Sequence, residues 1–248
     1  MTSHNFGHRR LDFEVPGSFG GFMILPAIPA PGNPWLWYAP SFISNPYPLP
    51  KPLHAWYLTR VLDAGIAVGG VDVGEAWGSP AGREIYTRFH AQVVREFKLE
   101  AKARLLGQSR GGLFHYNWAA DHPDCVRSIA GIYPVCDVLW PARLETISKA
   151  YGLPTERIIQ ERSKHNPVER LGALAAAHVP VYHIHGDSDD VVPLENNSAE
   201  LVRRYRELGG TAELLVVPGV GHKEVPEFFE NARLLDFLIN PPARSATK

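Results

Sequence analysis

Apolar runs of strand length alternate with amphipathic segments of helical spacing along most of the chain, and this alternation constrains the fold more than any other feature. The apolar runs predict buried strands at residues 34–42, 66–74, 102–108, 128–136, 179–187 and 211–219. Strands that are apolar throughout and separated by helices form parallel sheets whose two faces are both covered. The sequence therefore predicts an α/β fold with a mostly parallel central sheet.

Helical periodicity and turn residues supply the remaining elements. Helices are predicted at residues 53–65, 79–99, 112–123, 196–210 and 225–239. In the second of these helices, apolar residues recur at a spacing that places them on one face. Two further strands, at residues 9–17 and 20–28, flank a glycine turn and predict an antiparallel edge. The expected sheet has about eight strands, with helices on both faces.

The length of the chain favours a single domain. The 248 residues, of which 45% are hydrophobic, suit one large core and leave no room for a second full domain. Residues 137–177 form an irregular stretch with several prolines, which is too short to fold independently. We expect one domain over residues 1–248, with residues 137–177 as a small lid insertion.

Charge and hydropathy exclude several classes of partner. The formal net charge is −1 and no cluster of Lys and Arg occurs, so neither nucleic acid nor an anionic membrane surface is expected as a partner. No stretch remains apolar for the roughly 18 residues of a membrane span, and the first residues lack the apolar core of a signal peptide. These features predict a cytoplasmic protein, and a homo-oligomer is possible.

A short motif lies where the predicted strand at 102–108 meets the predicted helix at 112–123. Gly107, Ser109 and Gly111 satisfy the pattern Gly-x-Ser-x-Gly. In this pattern a nucleophilic serine occupies a turn so tight that its neighbours must be small. The alternative is a glycine-rich turn with an idle serine.

The partners that a serine nucleophile needs follow in the expected chain order. A serine hydroxyl becomes reactive when a histidine accepts its proton, and a carboxylate must orient that histidine. The predicted strand at 179–187 ends in a cluster of aspartates, and the strand at 211–219 is followed by His222. The order Ser, Asp, His and the positions at strand ends both favour a catalytic triad.

Three segments of the sequence resemble the signature blocks of one superfamily. "GQSRGG", "HGDSDDVVP" and "GVGH" are similar to those of the α/β-hydrolases, in the branch of dienelactone hydrolases and prolyl-oligopeptidase-like proteins. "WLWYAPSF", "VDVGEAWGSP" and "YPVCD" further resemble bacterial hydrolases that are often linked to the breakdown of carbohydrate esters. The resemblance implies the α/β-hydrolase fold and a serine-hydrolase mechanism.

The resemblance also selects one aspartate from the cluster. The superfamily spacing His-Gly-x-x-Asp-x-x-Val-Pro aligns with the segment from His185 to Pro193 and makes Asp189 the carboxylate that orients the histidine. Asp187 and Asp190 are expected to cap a helix or to hydrogen-bond the turn.

A metal site is not expected. His183 and His185 alternate along one predicted strand, so they share a face within the sheet core, and no third ligand has suitable spacing. The serine-hydrolase chemistry implied by the resemblance requires no cofactor.

The negative oxygen of a tetrahedral intermediate needs preorganised N–H donors. One expected donor is the backbone of Arg110, directly after the nucleophile. The other is expected from the segment after the strand at 34–42, where Pro40 has no N–H; Ser41 is the first choice and Phe42 the second.

Two further residues are candidates for substrate binding. Trp140 lies in the expected lid, and Glu75 follows the predicted strand at 66–74, which places it at the rim of the site. Glu75 either pairs with the Arg110 side chain or remains a separate solvated charge.

These observations predict a serine hydrolase that cleaves carboxylic esters of small molecules, with short-chain or carbohydrate-linked esters favoured. Ser109, Asp189 and His222 form its expected triad. A small serine peptidase of the prolyl-oligopeptidase type and a non-catalytic binding protein on a hydrolase scaffold are the alternatives.

Overall fold

The computed structural model describes residues 2–39 and 50–243, and within these ranges the strands form one nine-stranded sheet. Its strands are β1 (Thr2–Asn5), β2 (His8–Phe13), β3 (Gly20–Leu25), β4 (Trp35–Ala39), β5 (Ala67–Asp72), β6 (Ala103–Gln108), β7 (Val126–Ile132), β8 (Val181–Gly186) and β9 (Ala212–Val217). Their spatial order is β1-β2-β3-β5-β4-β6-β7-β8-β9.

The sheet is parallel from β5 to the β9 edge. Each neighbouring pair in that part is parallel, whereas β1, β2 and β3 pair antiparallel, and β3 joins β5 antiparallel. This arrangement confirms the predicted α/β fold with its antiparallel edge. The ninth strand, β1, was not predicted because its four residues, "TSHN", are polar and too few to show alternation.

Helices cover both faces of the sheet. The α-helices are α1 (Ala55–Asp63), α2 (Pro80–Phe97), α3 (Gly111–Asp121), α4 (Leu144–Tyr151), α5 (Thr155–Gln160), α6 (Arg162–His165), α7 (Gly172–Ala176), α8 (Glu200–Glu207), α9 (Pro226–Phe229) and α10 (Ala232–Ile239). No helix in the described ranges is long and apolar enough to cross a membrane.

Strand β4 shows how two cores arise on the two faces. Trp35 and Trp37 enter a core with residues of α2, α3 and α8, while Leu36 and Tyr38 enter another with residues of α1 and α10. Successive side chains of a strand point to opposite faces, so a strand that is apolar throughout must be covered on both.

Three predicted elements differ in their bounds. The strand expected to reach residue 136 ends at Ile132, because Tyr133 adopts a positive φ of 36° and turns the chain out of the sheet. The helix expected at 225–239 is two helices, since Asn231 caps the second with its side chain. The helix expected at 196–210 begins as a π-helical turn, Glu195–Ala199, and ends with α8.

The segment 137–177 was expected to be irregular, but the structure folds most of it into α4 to α7. Arg170 ties this segment to α3, because its guanidinium donates to the backbone and side-chain oxygens of Asn117 at 3.0 and 2.9 Å and also contacts Asp121. That the segment acts as a lid stays a prediction.

Candidate active site

Ser109 occupies a sharp turn between β6 and α3. Its φ is +50°, in the left-handed region that non-glycine residues avoid, and it is largely buried. A Cβ at Gly111 would lie 1.7 Å from the carbonyl oxygen of Ala39, and one at Gly107 would lie 3.0 Å from the Gly111 backbone. The glycines on both sides are therefore required by the close approach of β4 and α3.

The structure brings Ser109, His222 and Asp189 together in one hydrogen-bonded line. The Ser109 Oγ lies 3.0 Å from His222 Nε2, and His222 Nδ1 lies 2.8 Å from Asp189 Oδ2. Because an ionised carboxylate only accepts hydrogen bonds, Nδ1 carries the proton and Nε2 of the neutral ring accepts from the serine. This tautomer allows the imidazole to remove the serine proton.

Asp189 is held by several donors besides His222. Its Oδ1 accepts the backbone N–H groups of Val191 and Val192 at 3.0 and 2.8 Å. Its Oδ2 lies 3.3 Å from Nε2 of His185. Burial raises the pKa of Asp189, but the hydrogen bonds from His185, His222 and Val192 outweigh burial and hold that pKa below its usual range. The carboxylate is thus ionised at neutral pH.

The two neighbouring aspartates have other positions. Asp187 is exposed, and its Oδ1 accepts the backbone N–H of Gly219 at 2.7 Å and the hydroxyl of Ser188 at 2.9 Å. Asp190 is exposed as well and lines a cavity beside the site. Of the three, Asp189 is the one whose carboxylate contacts His222.

Arg110 and Glu75 form an ion pair at the rim. Arg110 Nη1 donates to Glu75 Oε2 at 2.5 Å, and the guanidinium lies 4.6 Å from the centroid of the Trp77 ring. Burial lowers the pKa of Arg110, an effect that Glu75 opposes. The side chain of Glu75 remains 56% exposed and that of Arg110 11% exposed, so one partner of the pair is in water.

Of the two expected oxyanion donors, the structure describes only the first, Arg110. Arg110 is the N-cap residue of α3, so its backbone begins the helix directly behind the serine. Ser41 and Phe42 lie outside the described residues. Ala39, the last residue of β4, has its carbonyl against Gly111, so the chain leaves β4 beside the turn that carries Ser109.

A cavity of about 240 Å³ lies between the segment 135–142 and the segment 190–197, which begins directly after Asp189. Val135, whose N–H donates to the Ser109 carbonyl at 2.8 Å, lines one side, and Val191 and Val192 line another. Trp140 also lines the cavity, and its ring packs edge-on against Trp77 at 6.2 Å. The structure therefore places Trp140 on a cavity whose lining includes Asp190 and Val191, the residues that follow Asp189, but no side chain of the triad itself.

Comparison with known proteins identifies the family of this chain. The model of the prolyl oligopeptidase family matches residues 90–240, which is more than half of the chain. The chain belongs to the prolyl oligopeptidase family. Its fold is that of the α/β-hydrolase superfamily, as the resemblance implied. Among curated proteins, none matches the chain significantly.

Solved structures share the fold of this prolyl oligopeptidase family member at low sequence identity. A puromycin-hydrolyzing peptidase from Mycobacterium tuberculosis is 15% identical with a TM-score of 0.73; the match covers 94% of this chain and 39% of that one. An S-formylglutathione hydrolase from Agrobacterium tumefaciens is 12% identical with a TM-score of 0.71, over 97% and 95% of the two chains. The dipeptidyl peptidase 4 of Porphyromonas gingivalis is 10% identical with a TM-score of 0.72, over 94% and 35%.

Sequence reasoning missed a polar cluster beside the histidine. The ring of Tyr133 packs on His222 at 4.5 Å, and the Tyr133 hydroxyl accepts from Gln108 at 2.7 Å. Gln108 also donates to Glu224 at 3.3 Å, and Lys51 pairs with Glu224 at 2.7 Å. Glu224 follows His222 by two residues, which was the one available signal. The positive φ that aims Tyr133 at His222 has no signature in the sequence.

The sequence predicted the position of His183 and His185 but not their hydrogen-bond partners. Both lie in the sheet core as predicted, but the contact of His185 with Asp189 was not foreseen. Within residues 2–39 and 50–243, no group of three or more His, Cys, Asp or Glu side chains has an arrangement suited to a metal ion. The two histidines instead belong to a chain of hydrogen bonds.

Proposed function

We propose that this protein hydrolyses carboxylic esters through an acyl-enzyme on Ser109. The observation that carries the proposal is the continuous line from Ser109 Oγ through His222 to Asp189 Oδ2, with contacts of 3.0 and 2.8 Å. A serine without a catalytic role has no need of a strained left-handed backbone, nor of a histidine that a carboxylate orients towards it.

In the proposed reaction, Ser109 Oγ attacks the ester carbonyl carbon while His222 Nε2 takes the hydroxyl proton. The carbonyl π electrons move to oxygen, and the resulting oxyanion accepts from the backbone N–H of Arg110 and from a second donor, proposed as Ser41. Collapse of the intermediate breaks the ester C–O bond, and His222 gives its proton to the leaving alkoxide. Water, activated by the same histidine, then releases the acid and restores Ser109.

We propose that the cavity next to the Asp189 loop takes a small group of the substrate. Its volume of about 240 Å³ is below the roughly 300–1,000 Å³ of sites for drug-sized ligands. Valines and Trp140 offer an apolar wall, and Asp137 and Asn196 offer polar groups at its edge. This lining suits a short acyl chain or a sugar ring whose hydroxyls meet the polar edge. Glu75 is proposed as a further contact from the rim.

The segments that resemble bacterial carbohydrate-ester hydrolases support an ester as the substrate. This chain spans about two fifths of the puromycin-hydrolyzing peptidase whose fold it shares. Peptide cleavage is the second candidate, because the family match supports it and the same triad can protonate a leaving amine. The small-molecule substrate and the cytoplasmic location inferred from the sequence stay predictions.

One panel of substrates tests the proposal. Nitrophenyl esters of acyl length two to eight and acetylated and feruloylated sugars are compared by kcat/KM with aminoacyl nitroanilides. We expect the shortest esters to be cleaved best, and Ser109→Ala to remove both this activity and labelling by a fluorophosphonate. Nitroanilides that exceed all esters would establish the peptidase. Folded protein that neither reacts nor takes the label would instead be a binding protein.

A further inference from the structure

A line of buried polar side chains continues behind Asp189, away from the cleft. His185 Nδ1 lies 2.8 Å from Ser198 Oγ, which lies 2.9 Å from His183 Nδ1. His183 Nε2 then lies 2.7 Å from the hydroxyl of Tyr116. All four side chains are almost completely buried, so they depend on one another for hydrogen bonds.

A π-helical turn places Ser198 in this line. The turn Glu195–Ala199 directs both Asn197 and Ser198 into the interior, where Asn197 accepts the backbone N–H groups of Cys136 and Asp137. A π-helix has hydrogen bonds between residues five apart, so its turn is wider than that of an α-helix, and such turns occur often at functional sites.

The acceptors and donors give the line one direction. Nε2 of His185 lies 2.9 Å from the carbonyl oxygen of Val192, which can only accept, so Nε2 carries a hydrogen. With a neutral ring, Nδ1 of His185 then accepts the hydroxyl hydrogen of Ser198. Ser198 in turn accepts from His183 Nδ1, which leaves His183 Nε2 to accept from Tyr116.

The electrostatics of the two distal groups agree with that direction. Burial lowers the pKa of His183 to about 3, so its ring is neutral at pH 7. Burial raises the pKa of Tyr116 well above its usual value, so its hydroxyl keeps the hydrogen that it donates. Each donor hydrogen in the line therefore points towards Asp189.

We propose that His185 is a positioning residue for Asp189, and that Ser198, His183 and Tyr116 fix the His185 tautomer that donates to the carboxylate. The inference rests on the proposed function, in which Asp189 orients His222. The single Nε2 hydrogen of His185 faces two acceptors, the Val192 carbonyl at 2.9 Å and Asp189 Oδ2 at 3.3 Å, so His185 restrains the carboxylate that His222 also contacts.

The sharing of Oδ2 predicts the sign of a pH effect. The titratable groups that face Asp189 are His185 from β8, His222 from the loop after β9 and Tyr133 from the loop after β7. Without the His185 donor, the carboxylate interacts more strongly with the protonated ring of His222 and stabilises it. The acid limb of kcat/KM then moves to higher pH, because a protonated His222 cannot accept the serine proton.

Two amide substitutions at residue 185 form a matched pair. In His185→Gln the amide nitrogen reaches the position of Nε2 and keeps a donor for Asp189, whereas in His185→Asn the amide is too short. We expect His185→Asn to lower kcat/KM on the best nitrophenyl ester about 10- to 100-fold. Its acid limb should rise by about half a unit to one unit, while His185→Gln stays within about threefold of the parent with its acid limb in place.

Histidine tautomers give a readout that does not depend on activity. In protein labelled with ¹⁵N-histidine, we expect His185 to show the Nε2–H form, and Ser198→Ala to alter that resonance and lower kcat/KM less than His185→Asn. Tyr205→Phe is the control for a lost buried hydroxyl, since Tyr205 donates to the Val179 carbonyl at 2.7 Å near the other end of β8. Urea unfolding of each variant checks that it is folded.

Three results overturn the inference. The first is equal loss of kcat/KM in the Gln and Asn variants with an unmoved acid limb, which indicates packing alone. The second is an Nδ1–H tautomer at His185 in the parent protein. Activity that disappears in Ser109→Ala but is unchanged in His185→Asn refutes this inference and leaves the proposed function intact, whereas activity that survives Ser109→Ala refutes the function itself.

Discussion

Two regions adjoin residues of the triad, one through Arg110, which follows Ser109 in the chain, and one through His185, which contacts Asp189, and they differ in their access to water. At the rim, Glu75 pairs with Arg110, and more than half of the Glu75 side chain is exposed. Behind Asp189, the line from His185 to Tyr116 is completely enclosed. Exposed charges can exchange a partner for water at little cost, whereas buried polar groups cannot. We therefore expect substitutions in the Glu75–Arg110 pair to change activity little, and substitutions in the buried line to change it more.

The largest expected effect separates buried Asp189 from exposed Asp187. Asp189→Asn removes the acceptor that sets the His222 tautomer, so kcat should fall by about 10⁴-fold. Asp187→Asn should change kcat less than about fivefold, because Asp187 bonds only a turn in the water-exposed loop. Both are measured on the same nitrophenyl ester. A severe loss in Asp187→Asn with a mild one in Asp189→Asn would reverse the assignment.

Acid titration tests the buried region by its stability. The folded-state pKa of His183 lies near 3, below its usual value of 6.5, because burial disfavours the charged ring. The unfolded chain therefore binds more protons than the folded one between these values, so stability is present above pH 6.5 and is lost as the pH falls. From pH 6.5 to 5 this one histidine should cost about 2 kcal/mol in the free energy of unfolding.

Urea unfolding at the two pH values measures that loss. The burial of His54, whose pKa is lowered to about 4 despite nearby Glu224, adds to it in the same direction. His183→Gln should be less stable than the parent at pH 7 and less sensitive to acid. A parent protein whose stability is flat over this range would contradict the burial of neutral histidines.

A smaller effect is expected where the cavity meets the solvent. Trp140 is partly exposed and forms one wall of the cavity, so Trp140→Ala removes contact area from bound substrate. We expect KM for short esters to rise about tenfold with little change in kcat, since such a contact binds the ground state and the transition state alike. A fall in kcat at constant KM would place Trp140 in the chemistry instead.

The smallest effect concerns the rim pair itself. Arg110→Ala, Glu75→Ala and the double variant form a cycle in kcat/KM, whose coupling we expect at about 0.5–1 kcal/mol because one partner is exposed. Added salt should reduce the coupling further. Coupling above that of His185 with Asp189, measured by the same kind of cycle, would remove the contrast between the two regions.

The sequence was sufficient where physical chemistry acts locally. Apolar strands between helices predicted the parallel sheet, and the glycines around Ser109 predicted the turn that β4 and α3 force on it. The order of the motifs identified the three residues that meet. Each of these signals resides in a short segment that is read without its neighbours in space.

The remainder depended on contacts between distant segments. Tyr133 reaches His222 only because its backbone reverses after β7, and Ser198 joins two histidines only because a π-helical turn rotates it inward. Neither local conformation leaves a pattern in the residue types. His185 resembled an ordinary core histidine, since the carboxylate that it contacts lies four residues further along, beyond the end of its strand.

The left-handed backbone of Ser109 has a consequence for the evolution of such a chain. A non-glycine residue in this conformation costs about 1–2 kcal/mol, which a glycine at residue 109 would not incur. Where the serine hydroxyl is not needed, replacement of this serine by glycine would relieve that strain and stabilise the fold. A serine retained at residue 109 despite this strain therefore indicates a use for its hydroxyl. Among descendants of this chain, serine at 109 is expected in active enzymes and glycine is tolerated in inactive ones.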